Sequence, residues 1–405
     1  MITGGTKLKK IVLMLCALLM LPLFTQPISA SQMDMYLDIP SREVSAAVPD
    51  LAPNATSAIL MDADSGTILF EKNSHAALPP ASITKIMTML LVVEAIDSNK
   101  LAMTDLVRTS ENAAKMGGSQ IFLEVGEEMT VEEMLKGVAM ASGNDASVAL
   151  AEKIAGTEAA FVELMNKRAK ELGMENTNFM NSNGLPEANH YSSAYDIALV
   201  SRELMKHETI LKFTGKYQDY LRKNSEKPFW LVNTNKLVRF YPGADGIKTG
   251  YTSEAKFCLS ATAARDGMRV IAVIMGAPST KVRNAEVSQM LDFAFNTYKS
   301  FVVVPENTEL GTLNIERGKE SKVTIVTTVP ISVVLPRGTV ESDIHYEVDM
   351  DDTIHAPVAE KQPIGKLIVY HKDSIIKEYE IVSPQSIQKS NWFDLLKRST
   401  KSLFN

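Results

Sequence analysis

The sequence predicts an α+β fold, in which helices flank an antiparallel sheet and a helical subdomain is inserted, followed by a small all-β domain. Three observations support this fold class. Strand-like apolar runs stand at both ends of residues 53–300, a helical period fills the stretch between them, and only short strand-like runs follow residue 302. The 405 residues also exceed the size at which one hydrophobic core usually keeps growing, so two folded domains are expected.

The first domain, residues 53–300, opens with a predicted β-hairpin. In SAILMDADSGTILFEKN, apolar runs lie on both sides of an Asp-Ser-Gly turn at 64–66. From Ser82 to about Met205, apolar residues recur every three or four positions, which predicts helices. Two long apolar runs flank the Asp-Gly pair at 266–267 and predict a second hairpin, and AEVSQMLDFAFNTYKSF predicts a closing helix. Because strands begin and end the domain, they must meet in one sheet.

Residues 301–385 are predicted to form the second domain. Here the composition changes to short apolar runs that turn residues separate, without any helical period: KVTIVTTV, ISVVLP, IHYEVD, GKLIVYHKD and IIKEYEIV. Such a pattern predicts a small all-β domain, and it leaves a sandwich and a barrel equally open.

The N-terminus has the pattern of a secretory signal. Three lysines precede an uncharged apolar run of about 14 residues, which is short for a membrane-spanning helix, and TQPISA then ends on a small residue. We expect residues 1–30 to be removed after Ala30, the protein to be exported, and residues 31–52 to form a polar lead segment. Attachment of a lipid at Cys16 is disfavoured, because the bulky Met14 and Leu15 precede it.

Charge and cysteine content exclude several function classes. Removing residues 1–30 takes away three lysines and leaves 39 basic against 48 acidic residues, a formal charge of −9, which argues against a nucleic-acid partner. Cys258 is then the single cysteine, so an intramolecular disulfide is excluded, and its apolar surroundings favour a buried structural thiol over a reactive one. The six histidines are scattered without metal-ligand spacing, so no metal site is predicted: His75, His190, His207, His345, His355 and His371.

The last segment, residues 386–405, is predicted to be an amphipathic helix. One face is apolar and aromatic, with Trp392, Phe393, Leu395, Leu396, Leu403 and Phe404. The other face is basic, with Lys389, Lys397, Arg398 and Lys401. Such a helix can lie in a membrane interface with its basic face on anionic lipid. The alternative is a terminal helix that packs on the β domain.

Three polar groups of residues stand out against apolar surroundings. They are Ser82 with Lys85, Ser142-Gly-Asn144, and Lys248-Thr-Gly250. The first is weak by itself, because the same Ser-x-x-Lys spacing recurs at Ser253/Lys256, Ser374/Lys377 and Ser386/Lys389. The second could cap the helix that follows it, and the third could be an ordinary strand start. Taken singly, none of the three establishes a catalytic site.

Taken together and in this order, the three groups resemble the Ser-x-x-Lys, Ser-x-Asn and Lys-Thr-Gly set of the penicillin-recognising serine acyl-transferases. Their separations of 60 and 106 residues leave room for a helical insertion. From Leu60 to Tyr298, the sequence is similar to low-molecular-mass penicillin-binding proteins of the D-alanyl-D-alanine carboxypeptidase type. The stretches that carry this resemblance include LMDADSGTILFEKN, PPASITKIMT, GVAMASGNDASVALAE, YSSAYDIALVSREL and GADGIKTGYTSEAKFCLSATA.

The resemblance implies a fold and a role for each motif. It implies the sheet-and-helix fold shared by DD-peptidases and β-lactamases. Ser82 would be the nucleophile and Lys85 its base, while Ser142 and Asn144 would relay protons and hold the substrate amide. Lys85 must be neutral to act as base, which burial and a second cation, Lys248, would favour. The remaining roles are an oxyanion hole made by the N–H groups of Ser82 and Tyr251, and substrate binding by Lys248, Thr249, Gly250 and Arg283.

The implied substrate is the D-Ala-D-Ala end of a peptidoglycan stem peptide, with no cofactor, and with β-lactams as acylating inhibitors. The implied location is the outer face of the cytoplasmic membrane, bound through the C-terminal helix, or a secreted state. One position departs from the family pattern, since Asn183 stands before Gly-Leu where many relatives carry histidine.

Two alternatives remain open from the sequence. A β-lactamase shares the three motifs but needs an efficient deacylating base, for which Glu187 is the one candidate near a suitable loop. A non-catalytic cell-wall-binding scaffold could keep the fold, although the intact motif residues argue against it.

Overall fold

The computed structural model describes residues 49–223, 225–226 and 228–391. The predicted signal peptide, all of the lead segment before residue 49 and residues 392–405 of the predicted tail helix lie outside the described residues. Within the described part of the chain, no helix combines the length and the apolar character that crossing a membrane requires.

The first domain contains mixed helices and strands. In chain order, its first half contains β1 (Ser57–Asp62), β2 (Ile68–Lys72), a 3₁₀ turn (Ala81–Thr84), α1 (Lys85–Asp97), β3 (Leu106–Arg108), α2 (Glu111–Ala114), β4 (Glu128–Thr130), α3 (Val131–Lys136), a π-helical turn (Gly137–Ala141), α4 (Asn144–Ala155), α5 (Glu158–Glu171) and α6 (Ala194–Met205). Its second half contains a 3₁₀ turn (Glu208–Ile210), α7 (Leu211–Thr214), β5 (Gln218–Leu221), β6 (Phe229–Val232), α8 (Leu237–Phe240), β7 (Ala244–Thr252), β8 (Lys256–Arg265), β9 (Met268–Ala277) and α9 (Thr280–Thr297).

The main sheet has five strands in the order β2-β1-β9-β8-β7, and every neighbouring pair is antiparallel. Both predicted hairpins are confirmed, β1 with β2 and β8 with β9. The N-terminal strand pairs with β9 from Ser57↔Met275 to Asp62↔Val270, so the two ends of the domain do meet in one sheet. β7 lies at the edge of this sheet, which leaves one side of the strand open to the helical subdomain.

Both faces of the main sheet are buried, and the alternation of side chains along each strand explains how. In β1, Ile59 and Met61 belong to a core shared with the helical subdomain, whereas Ala58 and Leu60 belong to a second core shared with α9. The same alternation holds along β9. α9 covers the second face with Val287, Met290 and Leu291. A strand buried on both faces must be apolar throughout, as these runs are.

The segment between the hairpins is mostly helical, as the sequence predicts, with three local differences. Two short antiparallel pairs, β3 with β4 and β5 with β6, interrupt the helices. The helix expected to begin at Ser82 starts with the 3₁₀ turn, and α1 itself begins at Lys85. The helical stretch after β4 changes to a π-helical turn before it ends at Ser142.

The second domain is all β, which confirms the prediction. Its strands are β10 (Tyr298–Val304), β11 (Glu309–Glu316), β12 (Lys322–Val326), β13 (Ile331–Pro336), β14 (Ile344–Met350), β15 (Thr353–His355), β16 (Pro363–His371) and β17 (Ser374–Val382). They form small sheets in the orders β10-β13, β12-β11-β15 and β14-β16-β17, and these share one hydrophobic core.

The predicted tail helix does not begin at residue 386, which corrects the boundary drawn from the sequence. Residues 386–391 run along the β domain, where Ile387 pairs with Val358 and Lys389 pairs with Gly318. Ile387 is 3% exposed and belongs to the core of the domain. The helical period predicted the wrong start for the tail helix, because an apolar residue between polar ones, such as Ile387, can lie in a β-bridge as well as on the apolar face of a helix.

Candidate active site

Ser82 and Lys85 lie on one face of the turn that leads into α1. Residues 81–84 form the 3₁₀ turn, and Lys85 is the first residue of the helix. The Nζ of Lys85 donates a hydrogen bond to Ser82 Oγ at 3.0 Å. The lysine side chain is fully buried, while Ser82 keeps partial access to solvent. The pair therefore has the contact that a hydroxyl nucleophile and its base require.

The Lys85 amine has two further acceptors, neither of them a carboxylate. Its Nζ donates to Asn144 Oδ1 at 2.6 Å and to the main-chain carbonyl of Asn183 at 2.5 Å. Burial lowers the pKa of Lys85 well below its usual value, and the nearby Lys248 lowers it further, while Asp145 acts in the opposite direction. A neutral amine, the form a base needs, is thereby favoured.

Ser142 does not cap the helix that follows it. The π-helical turn of residues 137–141 ends at Ser142, whose φ of 63° is left-handed, and Gly143 takes the N-cap position of α4. The Ser142 hydroxyl instead accepts a hydrogen bond from Lys248 Nζ at 2.8 Å. π-helical turns are rare and occur often at functional sites, and this one directs a buried hydroxyl toward the edge of the sheet.

Lys248 comes from the middle of β7 and is as deeply buried as Lys85. Its Nζ also donates to the carbonyl of Thr249 at 2.8 Å. Burial lowers the pKa of Lys248 to about 7, with the guanidinium of Arg283 as the second cause. Lys248 is therefore a cation that loses its proton close to neutral pH.

β7 passes directly beside the 81–84 turn at Gly250. A Cβ on Gly250 would lie 3.0 Å from the carbonyl oxygen of Pro80 and 3.1 Å from the N atom of Ser82, which explains why glycine occupies this position. Thr249 donates its hydroxyl proton to Thr234 at 2.8 Å. The side chain of the next residue, Tyr251, is exposed.

Arg283 lies in the first turn of α9 and is 4% exposed. Its guanidinium donates to Asn284 Oδ1 at 2.9 Å and to the Cys258 carbonyl at 3.4 Å. Burial lowers the pKa of Arg283 to about 10, so it stays cationic at neutral pH. The motif residues are thus brought together around Lys85 and Lys248, whereas Arg283 bonds to the main chain of β8, the strand next to β7.

Comparisons with known proteins identify the family to which the chain belongs. Residues 42–279 match the family described as D-alanyl-D-alanine carboxypeptidase, and residues 298–389 match the family described as penicillin-binding protein 5, C-terminal domain. The chain is 52% identical over 350 residues to D-alanyl-D-alanine carboxypeptidase DacF of Bacillus subtilis (strain 168), covering 86% of this chain and 90% of that protein. The chain belongs to the D-alanyl-D-alanine carboxypeptidase family.

Solved structures of penicillin-binding proteins have the same fold as this chain. The carboxypeptidase superimposes on penicillin binding protein 5 from Haemophilus influenzae with a TM-score of 0.69 and 31% identity, over 83% of this chain and 98% of that one. It also matches penicillin-binding protein D2 from Listeria monocytogenes in its ampicillin-bound form, with a TM-score of 0.54 and 30% identity over 60% of this chain and 98% of that one. The predicted fold class, family and enzyme class, a serine-type carboxypeptidase, are confirmed.

Sequence reasoning missed one contact of the carboxypeptidase site, the main-chain carbonyl of Asn183. Because Lys85 bonds to this carbonyl, the departure from histidine at position 183 does not remove the contact. Gly184, with φ of +83°, allows the loop to approach Ala81, since a Cβ there would overlap the Ala81 carbonyl. A main-chain acceptor has no signature in residue type, and the Gly-Leu pair after Asn183 was the only available signal.

His190 anchors the same loop. From the sequence, this histidine was considered only as a possible metal ligand. Its Nε2 is 2.8 Å from Thr84 Oγ1, and its Nδ1 accepts from the N–H of Met180 at 3.0 Å. Burial lowers the pKa of His190 to about 4, so the imidazole is neutral at physiological pH. Within the described residues, no group of three or more potential ligands is placed to hold a metal ion.

A cavity of about 470 Å³ adjoins the 81–84 turn. Its walls come from the turn, from the loop after Gly184 and from the end of β7: Pro79, Pro80, Ala81, Leu185, Pro186, Glu187, Tyr191, Thr252 and Glu254. Glu187, the candidate base of a β-lactamase, is exposed on this wall. Cys258 is fully buried and burial raises the pKa of its thiol to about 11, as expected of a structural cysteine.

Proposed function

We propose that this enzyme removes the terminal D-alanine from peptidoglycan stem pentapeptides through an acyl-enzyme on Ser82. The observation that carries the proposal is the hydrogen bond between the fully buried Lys85 amine and Ser82 Oγ. A lysine whose pKa is held down by burial and by a second cation can accept the serine proton near neutral pH.

Acylation begins when Ser82 Oγ attacks the carbonyl carbon of the penultimate D-alanine. The hydroxyl proton moves to Lys85 Nζ, and the N–H groups of Ser82 and Tyr251 stabilise the oxyanion. Collapse of this intermediate breaks the C–N bond, and the departing amine of D-alanine takes a proton from Lys85 through the Ser142 hydroxyl. Each oxyanion donor typically contributes about 2.7 to 4 kcal/mol to the barrier reduction.

Deacylation uses the same groups in reverse order. A water molecule attacks the ester carbon while Lys85, neutral again, accepts one of its protons. The ester C–O bond then breaks and Ser82 regains its proton. The product is the shortened stem peptide, and Asn144 holds the peptide amide in both steps.

The substrate ends in a free carboxylate, which needs cationic or hydroxyl side chains to bind it. Lys248, Thr249 and Arg283 supply them in our proposal, and Gly250 lets this part of β7 lie close to Ser82. The support is electrostatic, since Arg283 remains cationic at neutral pH and Lys248 is partly so. The cavity beside Pro80 and Leu185 provides room for the preceding residues of the stem peptide.

β-Lactams would enter the same site. Their ring amide takes the place of the D-Ala-D-Ala peptide bond, so Ser82 attack opens the ring and leaves an acylated enzyme. The ampicillin-bound form of the Listeria relative supports this proposal. Lasting acylation separates a carboxypeptidase from a β-lactamase, which would release the drug in many rapid turnovers.

We further propose that the enzyme works outside the cytoplasm at the membrane surface. Residues 1–30 supply the export signal and the amphipathic tail supplies the attachment to anionic lipid. The tail's basic side chains and aromatic residues support this part of the proposal.

The deciding experiment incubates the purified protein with a diacetylated Lys-D-Ala-D-Ala peptide and measures free D-alanine. Wild type should release D-alanine and be labelled by fluorescent penicillin, whereas Ser82→Ala should do neither while keeping its melting temperature. Ser374→Ala is the matched control, because Ser374 has the same spacing to a lysine but is exposed in the β domain. A wild-type protein that releases no D-alanine and takes no label would instead support the scaffold alternative.

A further inference from the structure

Asn144 is oriented by a loop rather than by its own helix. The side-chain Nδ2 donates to the carbonyl of Gly117 at 2.7 Å, and the main-chain N–H donates to the carbonyl of Ser119 at 2.7 Å. With Nδ2 held in this way, the amide oxygen faces Lys85 Nζ at 2.6 Å. The loop of residues 115–127, which joins α2 to β4, therefore decides which end of the amide Lys85 meets.

The approach of this loop to Asn144 is close. Gly118 has φ of +77°, and a Cβ on it would lie 2.8 Å from Asn144 Nδ2. Any displacement of the loop by a fraction of an ångström would therefore alter the hydrogen bonds of the amide. An element this close to the site needs its own restraints, because loops are otherwise the most mobile parts of a fold.

One restraint comes from Asp145, next to Asn144 in the sequence. Its carboxylate is 1% exposed and accepts the N–H groups of Ile121 at 3.0 Å and Leu123 at 3.1 Å. Adjacent residues on α4 thus bind the loop at two points, Asn144 near its start and Asp145 in its middle.

The other restraint is an arginine that comes from the β5–β6 hairpin. Arg222 donates Nε to Glu127 Oε1 at 2.6 Å and Nη2 to Glu127 Oε2 at 3.0 Å, a two-point pair. The same guanidinium donates Nη1 to the carbonyl of Ile121 at 3.1 Å and Nη2 to the carbonyl of Phe122 at 3.3 Å. Burial opposes ionisation of Glu127, but the bond from Arg222, the N–H of Glu124 and the charge of Arg222 together outweigh burial and lower the pKa of that carboxyl.

Phe122 shows that the loop is held in a costly conformation. Its φ of +58° is left-handed, which is unusual for a bulky residue, and its ring packs edge-on against Phe229 of β6 at 5.8 Å. Arg222 bonds to the carbonyl of this same residue. Two contacts from the hairpin thus fall on the residue with the unfavourable backbone conformation.

We propose that Arg222 is a positioning residue of the reaction: by clamping the 115–127 loop through Glu127 and the carbonyls of Ile121 and Phe122, it keeps the Asn144 amide oxygen on Lys85. This inference rests on the proposed function. The hydrogen bonds of the Arg222 guanidinium go to Glu127 and to the carbonyls of Ile121 and Phe122, and not to Ser82 or Lys85. Arg222 therefore acts through the loop and Asn144.

Loss of the Asn144 contact should change the pKa of Lys85 in a definite direction. Asn144 Oδ1 accepts a hydrogen bond from Lys85, so it stabilises the charged amine. Loss of this acceptor lowers the pKa of Lys85 and moves the acid limb of the acylation rate to lower pH. The charged groups that act on Lys85, Lys248 and Asp145, are both still present in a variant of Arg222.

The test compares Arg222→Gln with Arg168→Gln. Arg168 is the matched control, since it has similar exposure and pairs with Glu94 of α1 and Glu203 of α6 rather than with the 115–127 loop. Acylation by fluorescent penicillin is followed against pH and expressed per site that can be labelled at saturation, with melting temperature recorded alongside. Arg222→Lys, which keeps the charge but not the two-point pair, serves if the glutamine variant folds poorly.

We expect Arg222→Gln to lower the plateau rate per site by about tenfold to a hundredfold and to shift the acid limb to lower pH. Glu127→Gln should act in the same direction, and the double variant should be no slower than the slower single one. Arg168→Gln should lower only the melting temperature. An Arg222→Gln rate and acid limb equal to wild type would overturn the inference, as would an equal shift in Arg168→Gln. D-alanine release by wild type tests the proposed function separately.

Discussion

Among the single residues of this site, the two lysines Lys85 and Lys248 are unusual because both are fully buried. Their hydrogen bonds go to hydroxyl, amide and carbonyl oxygens, namely those of Ser82, Asn144 and Asn183 for Lys85 and those of Ser142 and Thr249 for Lys248. A buried ammonium paired in this way is poorly compensated, so the neutral form gains. In the proposed function, Lys85 therefore serves as a base although lysine is normally a cation.

Replacing Lys248 with glutamine should raise the pKa of Lys85. A neighbouring cation disfavours protonation of Lys85, so its removal makes protonation easier, and a higher pH is then needed to keep the amine neutral. The acid limb of the acylation rate should move to higher pH, and the plateau should fall because the substrate carboxylate loses a partner. The measurement is penicillin labelling from about pH 5 to about pH 10.

Lys212→Gln is the control for this change, since Lys212 is exposed on α7. Its acid limb should coincide with that of wild type. An acid limb of Lys248→Gln that stays in place or moves to lower pH would contradict the coupling between the two lysines. The direction is opposite to the one expected for Arg222→Gln, so the two variants check each other.

At the scale of elements, the site depends on close approach between backbones. Gly250 brings β7 against the 81–84 turn, and Gly184 brings the loop that contains Asn183 against the same turn. The two glycines differ in what they require. Gly250 needs only the absence of a side chain, whereas Gly184 also needs its left-handed φ of +83°.

Gly184→Ala should therefore disable acylation more than it destabilises the fold. The added Cβ would overlap the Ala81 carbonyl, so the loop must move and withdraw the Asn183 carbonyl from Lys85. We expect labelling by fluorescent penicillin to slow by at least about tenfold.

Gly173→Ala provides a control with the same backbone strain and no overlap. Its φ is +73°, and a Cβ there meets nothing within 4 Å. This variant should lose about 1 kcal/mol of stability and label at the wild-type rate. If both variants label alike, strain at the glycine rather than the Asn183 contact would explain any loss.

The sequence predicts elements well where one residue type or period decides them. The helical period and the two hairpins were recognisable, because burial of a helix face or a strand face imposes a pattern. The three motifs were recognisable through their resemblance, taken together and in order, to a known family. The left-handed Ser142 was not predictable, since the helical period continues unbroken into the π-helical turn. The Asn183 carbonyl and the Arg222 clamp were missed for a related reason: main-chain acceptors and long-range ion pairs leave no local pattern.

At the scale of the whole molecule, the sheet of the first domain unites distant parts of the chain. β1 and β9 pair across more than two hundred residues, and the sequence predicted this because strands stood at both ends of the domain. The β domain is different. Its parallel pair of β11 with β15 and its division into small sheets follow from packing around Leu313, Leu367 and Val369, which short strands of similar composition do not specify.

The chain after β17 consists of two parts, although the sequence predicted a single helix over residues 386–405. Residues 386–391 belong to the β domain, where the N–H of Lys319 donates to the Gln388 carbonyl and the N–H of Ser390 donates to the Arg317 carbonyl. The aromatic and basic side chains expected to meet a membrane, apart from Lys389, all follow residue 391. A truncation that tests membrane attachment must therefore begin at residue 392.

Deleting residues 392–405 should free the processed protein from vesicles that contain anionic lipid, while D-alanine release and melting temperature stay at wild-type values. Deleting residues 386–405 should also lower stability, because a buried isoleucine such as Ile387 contributes about 2 to 5 kcal/mol. Sedimentation with anionic and with neutral vesicles measures the first effect, and thermal unfolding measures the second. If the protein that ends at Asn391 still sediments with anionic vesicles, attachment depends on another surface, and the packed-helix alternative for the tail gains support.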